Sequence, residues 1–289
     1  MKFERTKNTI KNSLFAIIEK ILVLFLPFVV RTVIIYKLGV EYTGLNSLFT
    51  TILRIVNLAD IGFGSAVQFF LYKPVADDDY STINALFNFL RKTYYFISVL
   101  VLVIGLSFLP FLNTFIKDNT CPNDLNIYAL YLIYVFNSAF TYCFGADFLI
   151  IIGVYQRDRI KHLVGSFGEI IKCLSQVVIL IVTKNYYLYA FLIPLTTLSC
   201  NISYYFIARK IFPTIKAEGK LDKEQFKVVR KKLVALFFHH LASVLTNTID
   251  TIVISTVFGL TVLGNYGNYA VICEGVTGFV FILINFINK

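Results

Sequence analysis

The chain has 289 residues, of which 57% are hydrophobic and 15% charged, with a net charge of +10 and a mean hydropathy of +0.72. An average soluble domain carries about 25% charged residues, so this composition excludes an ordinary water-soluble enzyme and points to lipid as the solvent. The basic excess is not a nucleic-acid signal, because it is distributed as membrane topology requires.

Eight apolar stretches are each long enough to cross a bilayer as a helix: 14–38, 45–72, 93–116, 126–152, 162–183, 186–211, 235–258 and 264–288. Backbone in lipid must satisfy its own hydrogen bonds, and these runs lack the period-two alternation of barrel strands, so the expected fold is all-α and polytopic. The first run is too long for a cleavable signal and reads as a permanent helix.

Most spans carry ionisable or polar residues at depths that lipid disfavours. Span one holds Lys20 and Arg31, eleven residues and about three turns apart, with Pro27 on the same face. Glu19 and Lys20 are near the inner edge and can snorkel. Span two carries Ser47, Thr50, Arg54, Asn57, Gly64 and Gln68 at helical spacing, with Asp60 beside them. Asp147 in span four has the same snorkelling explanation as Lys20. Span five repeats the pattern with Ser166, Glu169, Lys172 and Gln176, in which Glu169 and Lys172 can pair along the helix. Span six offers Thr197 and Asn201 below Pro194; span seven has His240, Ser243, Asn247 and Asp250 on one face; span eight contributes Glu274.

Two readings of these groups stand side by side. Polar residues can join helices through buried bonds, or they can line a polar pathway. An ionised group at mid-depth costs about 2.5–3.5 kcal/mol on insertion scales, so either way the faces that bear Arg54 and Asp60 must avoid lipid. The candidate cargo-binding set is Arg54, Arg31, Asn57, Asp60, Lys20, Gln68, Lys172, Asn247 and Asp250. The carboxylates Asp60, Glu169, Asp250 and Glu274 are the candidates for a coupling ion.

Signatures of covalent or metal chemistry are missing. The sequence has no phosphate-binding glycine loop, nucleophile elbow or zinc pair, and the adjacent His239 and His240 diverge by about 100° on a helix. Asp77, Asp78 and Asp79 read as a solvated turn rather than a metal motif. Of the five cysteines, only Cys121 falls outside the spans, so no internal disulfide is expected. No cofactor, no metal and no enzymatic activity are expected.

With the N-terminus in the cytoplasm, 20 of the 27 Lys and Arg residues fall on the inner side. Only Lys37, Lys117 and Lys184 fall outside, and Lys20, Arg31, Arg54 and Lys172 lie within spans. This is the positive-inside pattern. The basic segment 212–234 reads as a solvated cytoplasmic connector. The outer loops are about six, nine, two and five residues long and cannot hold a catalytic domain.

An internal repeat organises the chain. Gly39-Val40-Glu41-Tyr42-Thr43-Gly44 and Gly259-Leu260-Thr261-Val262-Leu263-Gly264 each place two glycines five apart in an outer turn, at an offset of 220 residues. The same offset aligns spans one and two with seven and eight, and pairs Lys20 with His240 and Arg54 with Glu274. Six spans separate the equivalent positions, so the repeats run parallel about an axis along the membrane normal. The expected division is a six-helix lobe (1–211), the connector (212–234) and the first two helices of a second lobe (235–289). A complete second lobe would extend to roughly residue 440 by this repeat length.

Several stretches resemble the polysaccharide flippases of the multidrug/oligosaccharidyl-lipid/polysaccharide exporter superfamily. These are Leu38-Gly39 with Tyr42-Thr43-Gly44-Leu45-Asn46-Ser47-Leu48, then Leu58-Ala59-Asp60-Ile61-Gly62-Phe63-Gly64-Ser65-Ala66, and Leu71-Tyr72-Lys73-Pro74. Later come Asn247-Thr248-Ile249-Asp250 with Ile254-Ser255, and Gly264-Asn265-Tyr266-Gly267-Asn268-Tyr269. The resemblance covers the first part of the family's length, where twelve to fourteen helices are usual. It implies two lobes around a central cavity that opens alternately to either side of a bacterial inner membrane. The implied cargo is an oligosaccharide on a polyprenyl pyrophosphate, of the kind used for capsule or O-antigen lipopolysaccharide. Arg54 and Arg31 are the cations that would hold the pyrophosphate. Membrane lipids and other polysaccharide-assembly membrane proteins are the implied partners; nucleic acid is not. The rival expectations are a cation-coupled multidrug exporter of the same superfamily and a membrane glycosyltransferase or polymerase.

Overall fold

The computed structural model describes residues 5–57, 62–117, 121–122, 124–221, 244 and 248–287, with side chains described from residue 15 onward except at 274 and 278–287. Among the described residues the chain is all-helical, with 84% helix and no strand. In chain order the elements are α1 (Arg5–Lys37), α2 (Val40–Val56), α3 (Phe63–Ala76), α4 (Tyr80–Ser107), a 3₁₀ helix (Leu109–Phe115), α5 (Ile127–Phe140), α6 (Ala146–Val154), α7 (Asp158–Thr183), α8 (Tyr186–Ile211), α9 (Thr248–Val257) and α10 (Leu260–Ile287).

Among the described residues α4, α7 and α8 are long and apolar enough to cross a membrane, and α5 and α9 are shorter apolar helices. Their outward sides are apolar: Phe96, Val99 and Val103 on α4, and Phe167, Ile171, Leu174 and Val178 on α7, are all exposed. Exposed apolar rows at helical spacing are what a lipid-facing wall requires.

Spans two and four are not single helices. Span two is built from α2 and α3, and span four from α5 and α6. Helix α3 begins after Gly62, at φ +69°, and α6 begins after Phe144 and Gly145, at φ +50° and +103°. These are left-handed positions that glycine adopts at little cost. The interruption before α6 frees carbonyl groups, and Asn201 on α8 meets them: its Nδ2 donates to Phe140 O at 2.8 Å and to Cys143 O at 3.1 Å. Asn201 thus supplies the hydrogen bonds that a broken helix needs inside a membrane.

Helix α2 shows how the sequence divides its faces. Leu45, Leu48, Phe49 and Ile52 recur at helical spacing and are fully buried. Phe49 meets Tyr131 and Tyr134 of α5 edge-on, at 5.4 and 5.5 Å between ring centres. Ser47, Thr50 and Arg54 lie on the other side of the helix, with Thr50 and Arg54 exposed.

The end of the bundle away from the Gly39 and Gly259 turns carries charge pairs. Asp147 does not snorkel; it is buried and bonded to Arg91 Nε at 2.5 Å, and the Arg91 guanidinium lies over the Phe87 ring. Glu19 on α1 does not snorkel either, but meets His162 Nδ1 on α7 at 2.5 Å. Helix α4 begins well before the expected residue 93, because Asp79 caps it by accepting from the Thr82 backbone N–H. Hydrogen bonding from the Thr82 side chain first, and from its backbone N–H second, holds the Asp79 carboxyl below the usual carboxylate range. The Asp77–Asp79 cluster is therefore a helix start, and among the described residues no group of three potential ligands could hold a metal ion.

The segment 212–221 is not a free connector. Phe212 and Ile215 are buried, the Phe212 ring lies 4.5 Å from that of Tyr155, and Asn84 and Asn88 on α4 bond to Lys216 N and Gly219 O. The hydrophobic anchors explain why its basic composition misleads: the charges point outward from a strap seated on α4. Residues 222–234 lie outside the described part.

Candidate functional site

The 220-residue repeat reappears as geometry. At the end of α1, Leu38 N and Gly39 N both bond to Ile34 O; at the end of α9, Phe258 N and Gly259 N both bond to Ile254 O. Every one of these positions is offset by 220. Gly39 and Gly259 both take positive φ, +129° and +92°, which closes the helix and starts the next. The two products are helical hairpins, α1–α2 and α9–α10.

The hairpins meet where α2 packs on α10. A Cβ on Gly44 would overlap the Leu260 carbonyl oxygen, and a Cβ on Gly264 would overlap that of Val40. Residues 44 and 264, like 40 and 260, are repeat equivalents, so the contact is reciprocal, as a two-fold relation demands. Thr261 Oγ1 donates to Glu41 Oε1 at 3.0 Å, another equivalent pair across the same axis.

Inward of this crossing lies a cavity of about 330 Å³, lined by residues of α1, α2, α9 and α10. Its lining contains repeat equivalents facing one another: Arg31 with Thr251, Asn46 with Tyr266, Ser47 with Gly267, Thr50 with Ala270 and Thr51 with Val271. The chemistry is one-sided. The first hairpin brings Arg31, Arg54 and the hydroxyls of Ser47, Thr50 and Thr51. The second brings mostly small or apolar side chains, with Asp250 as its charge. Asp250 accepts from Tyr266 OH at 3.3 Å. Arg54 is exposed to the cavity and makes no ion pair among the described residues.

Arg31 stands at the boundary with a second cavity of about 260 Å³, between α1, α2, α7 and α8. Its Nε donates to Asn268 Oδ1, and Nη2 donates to Gly264 O at 2.8 Å. The second cavity holds the Lys172–Glu169 pair, 2.6 Å apart, together with Asn46, Gln176 and Tyr189. Gln176 donates to Tyr189 O at 3.2 Å, and Tyr134 OH donates to Asn46 Oδ1 at 2.7 Å. Glu169 and Lys172 neutralise one another, so the remaining charges of the two cavities are Arg31 and Arg54 against the single carboxylate of Asp250.

The structure thus brings together Arg31, Arg54 and Asp250 in one cavity, and Arg31, Glu169 and Lys172 in the next. Three expected residues belong elsewhere. Asn57 caps the end of α2 and donates to Ser138 of α5 at 3.2 Å. Gln68 lies on α3, donates to Tyr72 OH at 2.9 Å and approaches Gly153 beside Lys161. Lys20 is exposed on α1 and lines neither cavity. The stripe drawn through span two failed because it crossed from α2 to α3. Asp60 and Asn247 lie outside the described residues, as does the side chain of Glu274.

Asn46, Thr51, Thr251, Tyr266 and Asn268 were not singled out as site residues. The repeat offset was the signal that could have found most of them, since it maps the α2 lining onto α10. No known family model matches the chain, and no curated protein or solved structure matches it.

Proposed function

We propose that the chain is part of a multi-pass transporter that carries an anionic, lipid-linked oligosaccharide from the cytoplasmic to the outer leaflet by alternating access. The observation that carries this reading is Arg54, which makes no ion pair among the described residues and shares a cavity with Arg31, Asp250 and five hydroxyl side chains between two helical hairpins in reciprocal contact. A guanidinium within an apolar bundle costs energy unless an anionic or polar partner uses it, and the two arginines of this cavity face the single carboxylate of Asp250 among its lining residues. Its planar fork matches the oxygens of a phosphate.

The apolar outer walls of α4 and α7 support a membrane location, and the distribution of Lys and Arg supports a cytoplasmic N-terminus. In this reading eight spans cross the bilayer, two of them as broken helices. The cargo's sugar hydroxyls and phosphates would lose water in hydrocarbon, and the cavity offers substitutes while the polyprenyl tail stays in lipid. No bond is made or broken, so no catalytic residue is needed.

The test is transfer in proteoliposomes. A polyprenyl-pyrophosphate oligosaccharide with a labelled sugar is placed in one leaflet, and its exposure on the other side is followed with a sugar-oxidising reagent. Faster exposure than in protein-free vesicles supports the proposal, with little acceleration for a polyprenyl lipid without phosphate. Equal rates with and without protein overturn it.

A further inference from the structure

We propose that Arg31 is the latch of an outer gate: its guanidinium clamps α10 to the α1–α2 hairpin from α1, and an anion entering the cavity frees the gate by taking over its N–H donors. This deepens the proposed function and rests on its reading of the cavity and of which side is outside.

The crossing of α2 and α10 closes the cavity on the side of the hairpin turns. Gly44 and Gly264 bring the two backbones into contact, and Glu41 and Thr261 bond across the same seam. Ser47, Thr50 and Arg54 follow at one, two and three turns inward, so Arg54 is about 15 Å from the crossing along α2. With the turns outside, the observed state is sealed to the outside.

Arg31 is the cation that ties this seal to the cavity. It reaches from α1 to α10, donating to the side chain of Asn268 and to the carbonyl of Gly264, the residue at the crossing itself. Gly267 makes room for it: a Cβ there would lie 2.5 Å from Arg31 Nη2 and 3.1 Å from Ser47 Oγ. The repeat equivalent of Arg31 is Thr251, so the second hairpin has no matching arm. One guanidinium therefore does two things that exclude each other. Its donors face either α10 or an anion. Its two acceptors on α10 are neutral, and a phosphate oxygen is a stronger acceptor for a charged donor than an amide or a backbone carbonyl. An anion held by Arg54 would therefore compete with α10 for Arg31, and the crossing would lose its polar tie while the anion is present. A ligand shifts a two-state gate only through such differential contacts.

The experiment measures the gate directly on the full chain. Lys37 and Val257 are exposed repeat equivalents at the outer ends of α1 and α9. Spin labels at Lys37→Cys and Val257→Cys, in a background with the five native cysteines replaced by alanine, report the separation of the hairpins by pulsed dipolar spectroscopy in nanodiscs. Loss of a hydrogen bond to a charged donor should raise the ratio of long to short distances about tenfold, so Asn268→Leu should open the pair without ligand. Asn268→Asp should have the opposite effect, favouring the short distance and raising the pyrophosphate concentration needed for opening, which a merely misfolded variant would not do. Inorganic pyrophosphate should open the otherwise unsubstituted labelled chain and have no further effect on Arg31→Gln. An unchanged distance distribution in Asn268→Leu overturns the latch, as does pyrophosphate-driven opening that persists in Arg31→Gln. Calorimetric titration with pyrophosphate separates this proposal from the cargo reading. A chain that binds no pyrophosphate but opens with Asn268→Leu keeps the latch and loses the anionic cargo. One that binds pyrophosphate but stays closed with Asn268→Leu loses the latch and keeps the cargo.

Discussion

Gly44 of α2 packs on the Leu260 carbonyl of α10 as Gly264 of α10 packs on the Val40 carbonyl of α2, each lacking the Cβ that would overlap that oxygen. The atoms in the way are backbone, which cannot swing aside as a side-chain tip can. Gly44→Ala and Gly264→Ala should therefore each destabilise by about 1–3 kcal/mol, the usual range for overpacking a tight contact. Gly153→Ala is the control, because its Cβ would first meet the mobile Gln68 Nε2 at 3.2 Å. Thermal unfolding in detergent should rank the first two well below the third. Equal melting temperatures for all three would refute the close crossing.

The Arg91–Asp147 pair makes a different kind of prediction. Asp147 retains only 6% side-chain exposure, while Arg91 retains 23%. Removing the cation leaves a buried carboxylate without its partner, and such losses cost about 3–5 kcal/mol. Arg91→Ala should be more damaging than the double replacement Arg91→Leu with Asp147→Leu, in which neither charge remains. Chemical denaturation of the three chains checks the order. A double variant less stable than Arg91→Ala would show that the pair gives more than mutual neutralisation.

How much of this was legible in the sequence depends on the signal used. Hydropathy located α8 with its bounds at 186 and 211, because a helix flanked by Asn185 and a basic inner end has clear edges. Hydropathy could not see the ends of α2 and α5, because the runs stay apolar across them. The glycines at 62 and 145 were visible, but their positive φ was not, and a helical wheel drawn through a chain break assigns faces that do not exist. That is why Gln68, on α3, does not share the cavity that Arg31 and Arg54 line, while Asn57, at the end of α2, turns to Ser138 of α5. The repeat was the more informative pattern. Its offset of 220 predicts which residues face one another across α2 and α10, something no window of hydropathy contains. Long-range pairs such as Arg91 with Asp147, 56 residues apart, left no local trace.

Tyr42, in the first turn of α2, donates to both carboxylate oxygens of Asp124 at 2.6 and 2.7 Å. Burial first, and the neighbouring carboxylate second, hold its phenol above the ordinary tyrosine range. Tyr42→Phe should cost about 1.5–3 kcal/mol, as for a hydrogen bond to a charged group. The sign of the pH dependence follows from the raised value. The folded state keeps the proton more tightly than the unfolded one, so this contribution is present in full below pH 10 and is lost as the pH rises further. Melting curves of the original chain and Tyr42→Phe should therefore converge on the alkaline side. A gap that widens above pH 10 would show that the phenol is not the proton donor to Asp124.

Arg54 separates cargo binding from helix packing. It lies on the same side of α2 as Ser47 and Thr50, lines the cavity with Arg31, and bonds to nothing among the described residues. A purely structural arginine would be paired, as Arg91 is, and its loss would lower the yield of folded protein. Arg54→Ala removes an exposed cation that makes no ion pair among the described residues and should leave unfolding in detergent within about 0.5 kcal/mol of the original chain. The same substitution should weaken pyrophosphate binding by about tenfold to a hundredfold, the range for a charge-assisted hydrogen bond of 1.5–3 kcal/mol. Arg54→Lys keeps the charge but not the planar fork and should fall between the two. Titration calorimetry with inorganic pyrophosphate reads the affinity, and a melting curve on the same samples reads the fold. Undiminished affinity in Arg54→Ala would remove Arg54 from the binding site. A fall in affinity matched by a fall in melting temperature would make it a packing residue.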